Sequence, residues 1–214
     1  MTPLNVIGEA RHLIQDTKVP YRYSDAMLLG FVNQTLKRML MLRPDLFAVI
    51  ADFPTQPDTT TQDCPADSTR LIEIFQVKGG NTMTEVDRET LDRTAPSWRQ
   101  EPSGQPVNFM RHARNPNRFF VYPAPVFGVV LVGEYAQTPP NYTLNQEIAY
   151  PTDAYLPVVV DGVVFLAESI DNEHVNSNRA KLFQDSFNQG LVTSLQARAM
   201  TDNEMGSSER RQAR

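Results

Sequence analysis

The hydrophobic period changes twice along this 214-residue chain, and that change limits the folds open to it. Up to about residue 43, and again from about residue 153, apolar side chains recur at three- and four-residue steps, the spacing of one helix face. Between those stretches they gather into short β-branched and aromatic runs separated by prolines and glycines, as strands do. Helix pair, strands, helix pair predicts an α+β protein. A helical bundle would be built from residues 1–43 with 153–200, an antiparallel β-sheet or sandwich domain would be inserted at 46–140, and a flexible tail would occupy 201–214.

Thr2 followed by Pro3 reads as an N-cap and first helical position. The first helix should run to about Asp16 with a stripe of Leu4, Ile7, Ala10 or Arg11, and Ile14. Ser24 and Asp25 start a second helix with Leu28, Phe31, Val32, Thr35, Met39 and Leu42 on its apolar face, which should stop at Arg43 because Pro44 follows. Leu40 and Met41 add apolar surface and point to contacts on two sides. A third helix, 156–170, carries so many valines that only packing can hold it, with Pro157 in its first turn. Val175, Arg179, Leu182, Phe183, Phe187, Leu191 and Leu195 trace a last helix to about Met200.

In the middle, Phe47 to Ala51 reads as a strand, and a Pro-punctuated polar loop or weak hairpin follows to Arg70. Arg70 to Val77 is a second strand, which Gly79-Gly80-Asn81 would turn into a third at 82–86. Asp87 can cap a short helix, 88–93. Strands at 107–112, 118–122 and 128–137 would then form an antiparallel meander, the first two joined by Asn115-Pro116-Asn117.

The chain offers little chemistry. His12, His112 and His174 are the only histidines, no His or Cys pair has metal-ligand spacing, and no glycine loop has phosphate-binding spacing, so neither metal nor cofactor is expected. Cys64 is a lone cysteine in a polar loop, which favours a reducing compartment and a small packing side chain. Asp87, Glu89 and Asp92 sit among Arg88 and Arg93 as a charge-laced surface helix would. No run approaches the roughly 18 apolar residues of a membrane span and the start lacks a secretory pattern, predicting a soluble protein made in the cytoplasm. A formal charge of -5 argues against tight wrapping of nucleic acid. The exception is local: Arg111, Arg114 and Arg118 lie beside His112 and the aromatics of the 118–122 run, a patch that could hold a phosphate backbone and stack bases. The competing reading turns the aromatics into a β-core and pairs or solvates the arginines. Trp98 could be a core lid or an interface anchor.

Three features in order, Val86-Asp87-Arg88-Glu89-Thr90-Leu91-Asp92, then Trp98, then an aromatic strand ending in Tyr122-Pro123-Ala124-Pro125, resemble the adaptor, or head-to-tail connector, proteins of tailed bacteriophages, of the gatekeeper-type, tail tubular protein A-like kind. The resemblance implies a virion structural protein and not an enzyme. It implies a homo-oligomeric, dodecameric ring beneath the portal protein that extends the DNA channel, passes double-stranded DNA without specific binding, and docks tail or nozzle proteins. It also implies that the C-terminal extension reaches the portal, with Thr201, Glu204, Met205, Arg210, Arg211 and Arg214 as candidate contacts, while Trp98, Arg111, Arg114 and Arg118 are candidates for a subunit or tail interface. The alternative from another class is a nucleic-acid-binding module using Arg111, Arg114 and Arg118.

Overall fold

The computed structural model describes residues 1–170 and 178–193. The expected strands and helices are present as an α+β fold. The chain divides into two compact units, Met1–Arg43 with Pro139–Arg214, and Pro44–Thr138.

In the helical unit, α1 (Pro3–Leu13) starts where Thr2 accepts a hydrogen bond from the Asn5 amide, and α2 (Asp25–Leu42) where Ser24 accepts from the Met27 amide. Helix α1 stops three residues before the expected Asp16. The amides of Ile14 and Asp16 turn back to the carbonyls of Ala10 and Arg11, with Gln15 left-handed at φ 57°, so this turn closes the helix. Asp16 then accepts from the backbone of Arg22 and Tyr23 and from Arg11, whose guanidinium also reaches Asp25 (2.7 Å) and the Tyr23 carbonyl (2.9 Å). That buried ionic knot joins the end of α1 to the start of α2. The α1 stripe is rotated from expectation, with Val6 buried and Leu4 exposed. On α2, Leu36 and Leu40 are buried, whereas Leu42 and Met41 face outward.

Helix α4 (Leu156–Glu168) packs against both α1 and α2. Its buried Val159, Val163, Val164 and Ala167 explain how a valine-rich helix persists, since burial outweighs the lost side-chain freedom. Residues 178–193, here α5, are helical and bury Ala180, Phe187 and Leu191; Leu182, expected on the apolar stripe, is exposed. The expected starts and ends of this helix near 172 and 200, and the tail from Thr201, lie outside the described residues. The stretch 139–152 belongs to the helical unit: Tyr142 exchanges hydrogen bonds with Asn33, and the Ile148 amide bonds the Met1 carbonyl.

The second unit has two sheets. After a one-turn 3-10 helix (Pro44–Phe47), β1 (Ala48–Pro54) pairs with β7 (Val130–Gln137), which pairs in turn with β3 (Ser68–Val77), all antiparallel. The other sheet runs in the order β2 (Thr61–Asp63), β6 (Arg118–Tyr122), β5 (Asn108–Arg111), β4 (Thr84–Glu85). Phe53, Leu71, Ile74, Phe109, Phe119, Val121, Leu131 and Tyr135 form the core of this unit.

One expectation fails here. Strands β5 and β6 form a hairpin, but β7 leaves for the other sheet, so the three are not a meander. Pro123 and Pro125 after β6 have no amide to continue a ladder, and the chain changes sheet there. The strand expected at 82–86 is short: after the Gly79-Gly80 turn the chain runs back along β3 through the bridge Gln76 to Thr82 and the Met83 amide on the Phe75 carbonyl, and β4 then pairs parallel to β5.

Strand β3 buries every third residue, Ser68, Leu71, Ile74 and Val77, because three bulges interrupt its register with β7. The bulged strand lies so close to β7 that a Cβ on Gly133 would sit 2.6 Å from the Glu73 carbonyl oxygen. Only glycine fits.

Candidate interaction surface

Helix α3 (Arg88–Thr94) begins where the Asp87 carboxylate accepts from the Thr90 amide. Asp92 lies within 3.6 Å of Arg88 and 3.1 Å of Arg99 and accepts from the Trp98 indole at 2.8 Å. That indole bond, aided by the Arg99 and Arg88 charges, holds the Asp92 carboxyl below its ordinary value despite some desolvation. Trp98 is fully buried, edge-on to Phe120 and Tyr122 with centroids 6.3 and 6.2 Å away. It fills the face of the β2-β6-β5-β4 sheet that the shared core leaves open, and Arg99 lies over it. The Tyr122 hydroxyl donates to Glu101 at 2.6 Å, which raises the phenol's pKa. Trp98 thus holds the place of a core residue, and the three acidic residues line a capped surface helix.

The arginine patch separates into three different situations. Arg111 donates to both Glu85 carboxylate oxygens (2.7 and 3.2 Å), to the Leu71 carbonyl (3.0 Å) and to the Ile72 carbonyl. Leu71 and Ile72 lie at a β3 bulge, where the ladder is interrupted, so this one guanidinium ties the two sheets together. Arg118 pairs with its cross-strand partner Asp63 at 2.7 Å. The Arg114 side chain is exposed and makes no hydrogen bond or ion pair with a described residue. His112 stacks on Phe120 with centroids 5.5 Å apart and accepts at Nδ1 from the Arg114 and Asn115 amides, closing the hairpin. Two of the three arginines named for nucleic acid are therefore held internally, and one free cation is a weak grip on phosphates.

Among the described residues no cluster of His, Cys, Asp or Glu could hold a metal, and no helix is long and apolar enough to cross a membrane. Burial pushes the Cys64 thiol up to about 11, offset in part by a Ser68 hydrogen bond, so at neutral pH it is a protonated, packed side chain. Thr201, Glu204, Met205, Arg210, Arg211 and Arg214 lie outside the described residues.

Contact chemistry of another kind stands out. In the helical unit Met41, Leu182, Val19 and Leu42 are 82, 68, 80 and 56% exposed. In the β-unit Phe127 is 90% exposed at a turn whose Val129 amide bonds the Val126 carbonyl, and Gly128 takes φ +85°. The strand expected at 128–137 begins two residues later, at Val130, and Gly128 belongs to this turn. The signal was available: a glycine directly after an aromatic and two prolines marks a turn.

No curated protein matches the chain. The family model described as SU10 adaptor protein matches residues 1–212, nearly the whole length and both units. A match of that extent shows the family: the chain belongs to the SU10 adaptor protein family and is a phage adaptor.

Proposed function

We propose that the protein is a head-to-tail adaptor of the virion, assembled as a closed homo-oligomeric ring, on the resemblance a dodecamer, below the portal protein, where it extends the DNA channel and docks the tail. The observation that carries this reading is the whole-length family match, over residues 1–212. Two properties support it. Large apolar side chains stay exposed on both units and are open to contact with a partner surface. The charge of -5 suits a lumen that must let a polyanion pass without holding it.

The helical unit would build the ring wall and the β-unit would reach neighbours or tail proteins. The C-terminal segment, through Thr201, Glu204, Met205, Arg210, Arg211 and Arg214, would order on the portal, and repetition around the ring would let modest single contacts sum to a stable joint. Mass measurement of the purified protein with and without portal tests the reading. Oligomers that join the portal are expected; a chain that stays monomeric and never joins it at any concentration overturns the proposal. Deleting residues 201–214 should abolish portal binding with the fold unchanged, and undiminished binding would refute the role of the tail.

A further inference from the structure

At the second central position of the 126–129 turn, the backbone demands a glycine, and Gly128 supplies it. Nothing in the chain demands a phenylalanine at the first. Phe127 nonetheless holds its ring 90% exposed, between Val126 (41% exposed) and Gly128. The register places this turn at one end of the β-unit: Pro54 pairs with Val130 beside it, whereas Ala48 pairs with Ala136 at the other end, where the chain enters and leaves the unit. The turn is thus the end of the β-unit remote from its own chain connections. The amides of Phe127 and Gly128 donate to no described residue.

A hollow of matching character exists in the helical unit. Helices α4 and α5 leave a groove of about 500 Å³ lined by Pro157, Val158, Asp161, Ser186, Gln189 and Gly190. Val158 and Gly190 approach closely within it, since a Cβ on Gly190 would lie 2.8 Å from the Val158 side chain. Most of its exposed wall is apolar, its polar groups come from Asp161, Ser186, Gln189 and Thr193, and its one carboxylate, Asp161, takes the Ser186 hydroxyl on Oδ2 at 2.6 Å and keeps Oδ1 for another donor. An aromatic knob with two free amides beside it complements an apolar groove with one carboxylate, ring against wall and N–H toward oxygen.

We infer that the Val126–Gly128 turn of one copy seats Phe127 in the α4–α5 groove of a second copy of this chain. Knob and groove are different patches of the same chain, so the contact is head-to-tail: each copy uses its turn on one neighbour and its groove on the other, and the chain of contacts either closes into a ring or grows without limit. The inference rests on the ring reading above and supplies its subunit joint.

The test uses the full chain carrying Cys64→Ser, so that the half-buried native thiol contributes no background. One preparation bears Phe127→Cys, another Gln189→Cys, and the two are mixed under mild oxidation at assembling concentrations, with portal present if assembly needs it. A covalent heterodimer seen only in the mixture is expected. Separately, Phe127→Asp should raise the concentration needed for assembly at least about tenfold while Phe127→Leu stays near wild type, as an apolar contact requires. Rings that assemble normally with Phe127→Asp, or a mixture without heterodimer, overturn the inference and leave the ring reading intact. Loss of tail attachment alone in Phe127→Asp would assign the turn to a tail protein and likewise overturn it. A wild-type chain that forms no oligomer even with portal overturns both.

Discussion

A guanidinium presents five donors in a rigid fork, and at Arg111 that fork is committed to Glu85 and to the carbonyls of Leu71 and Ile72. Replacing it by alanine leaves a part-buried bulge carbonyl and an exposed carboxylate to water, so Arg111→Ala should cost about 1 kcal/mol and lower the thermal midpoint by a few degrees. Arg114→Ala should stay within about 0.5 kcal/mol of wild type, because its side chain holds nothing described in place. Calorimetry on the two variants separates a structural arginine from a solvated one; equal midpoints would contradict the assignment. Asp92 makes a pH-dependent prediction. Its folded pKa lies below the ordinary 3.8, so its contribution is complete above that value and is lost as pH falls through the depressed one. Emission from Trp98, the one tryptophan, should hold steady down to about pH 4 and redden only below it. Asp92→Asn should lack that acid step. Sequence alone left Trp98 and the arginines open, because whether a polar group is used internally depends on partners that are distant in sequence: Arg111 meets Leu71 at a separation of 40 residues.

At the scale of elements, local chemistry was readable and pairing was not. Thr2, Ser24 and Asp87 cap their helices through side-chain oxygens as their residue types promise, and Arg43 before Pro44 ends α2. Strand β3 could not be read in the same way, since its buried residues recur every third position, neither the alternation of a flat strand nor a helical stripe, and the cause is its mismatch with β7. The sheet change after β6 is likewise a matter of which neighbour has room. Helix packing yields the sharpest prediction. A Cβ on Gly162 would meet the Thr35 Cγ2 at 2.4 Å and the Phe187 ring at 3.1 Å, so Gly162→Ala should destabilise the protein by about 1–3 kcal/mol through overpacking. Thr35→Ser removes the obstructing methyl, and the double variant should regain part of that loss. Chemical denaturation of the four proteins gives the coupling energy; strict additivity would mean that the helices accommodate the methyl elsewhere.

On the scale of the whole molecule, residues 44–138 enclose a core of their own, and their ends meet, because Ala48 at the start of β1 pairs with Ala136 near the end of β7. Expressed alone, that segment should unfold cooperatively and show the Trp98 emission of the full chain. A gradual transition with red-shifted emission would show that the β-unit depends on the helical one. That the chain interrupts a helical bundle with strands was decided by the order of hydrophobic periods, which is a local property that neighbouring residues impose through helix and strand geometry. So were the caps, the proline stops and the poverty of reactive groups. Which sheet each strand joins, which arginines are consumed, and that Phe127 is left bare were decided only when segments far apart in sequence met. A hydrogen bond or an apolar contact is completed by its partner, and a linear chain does not say which partner will arrive.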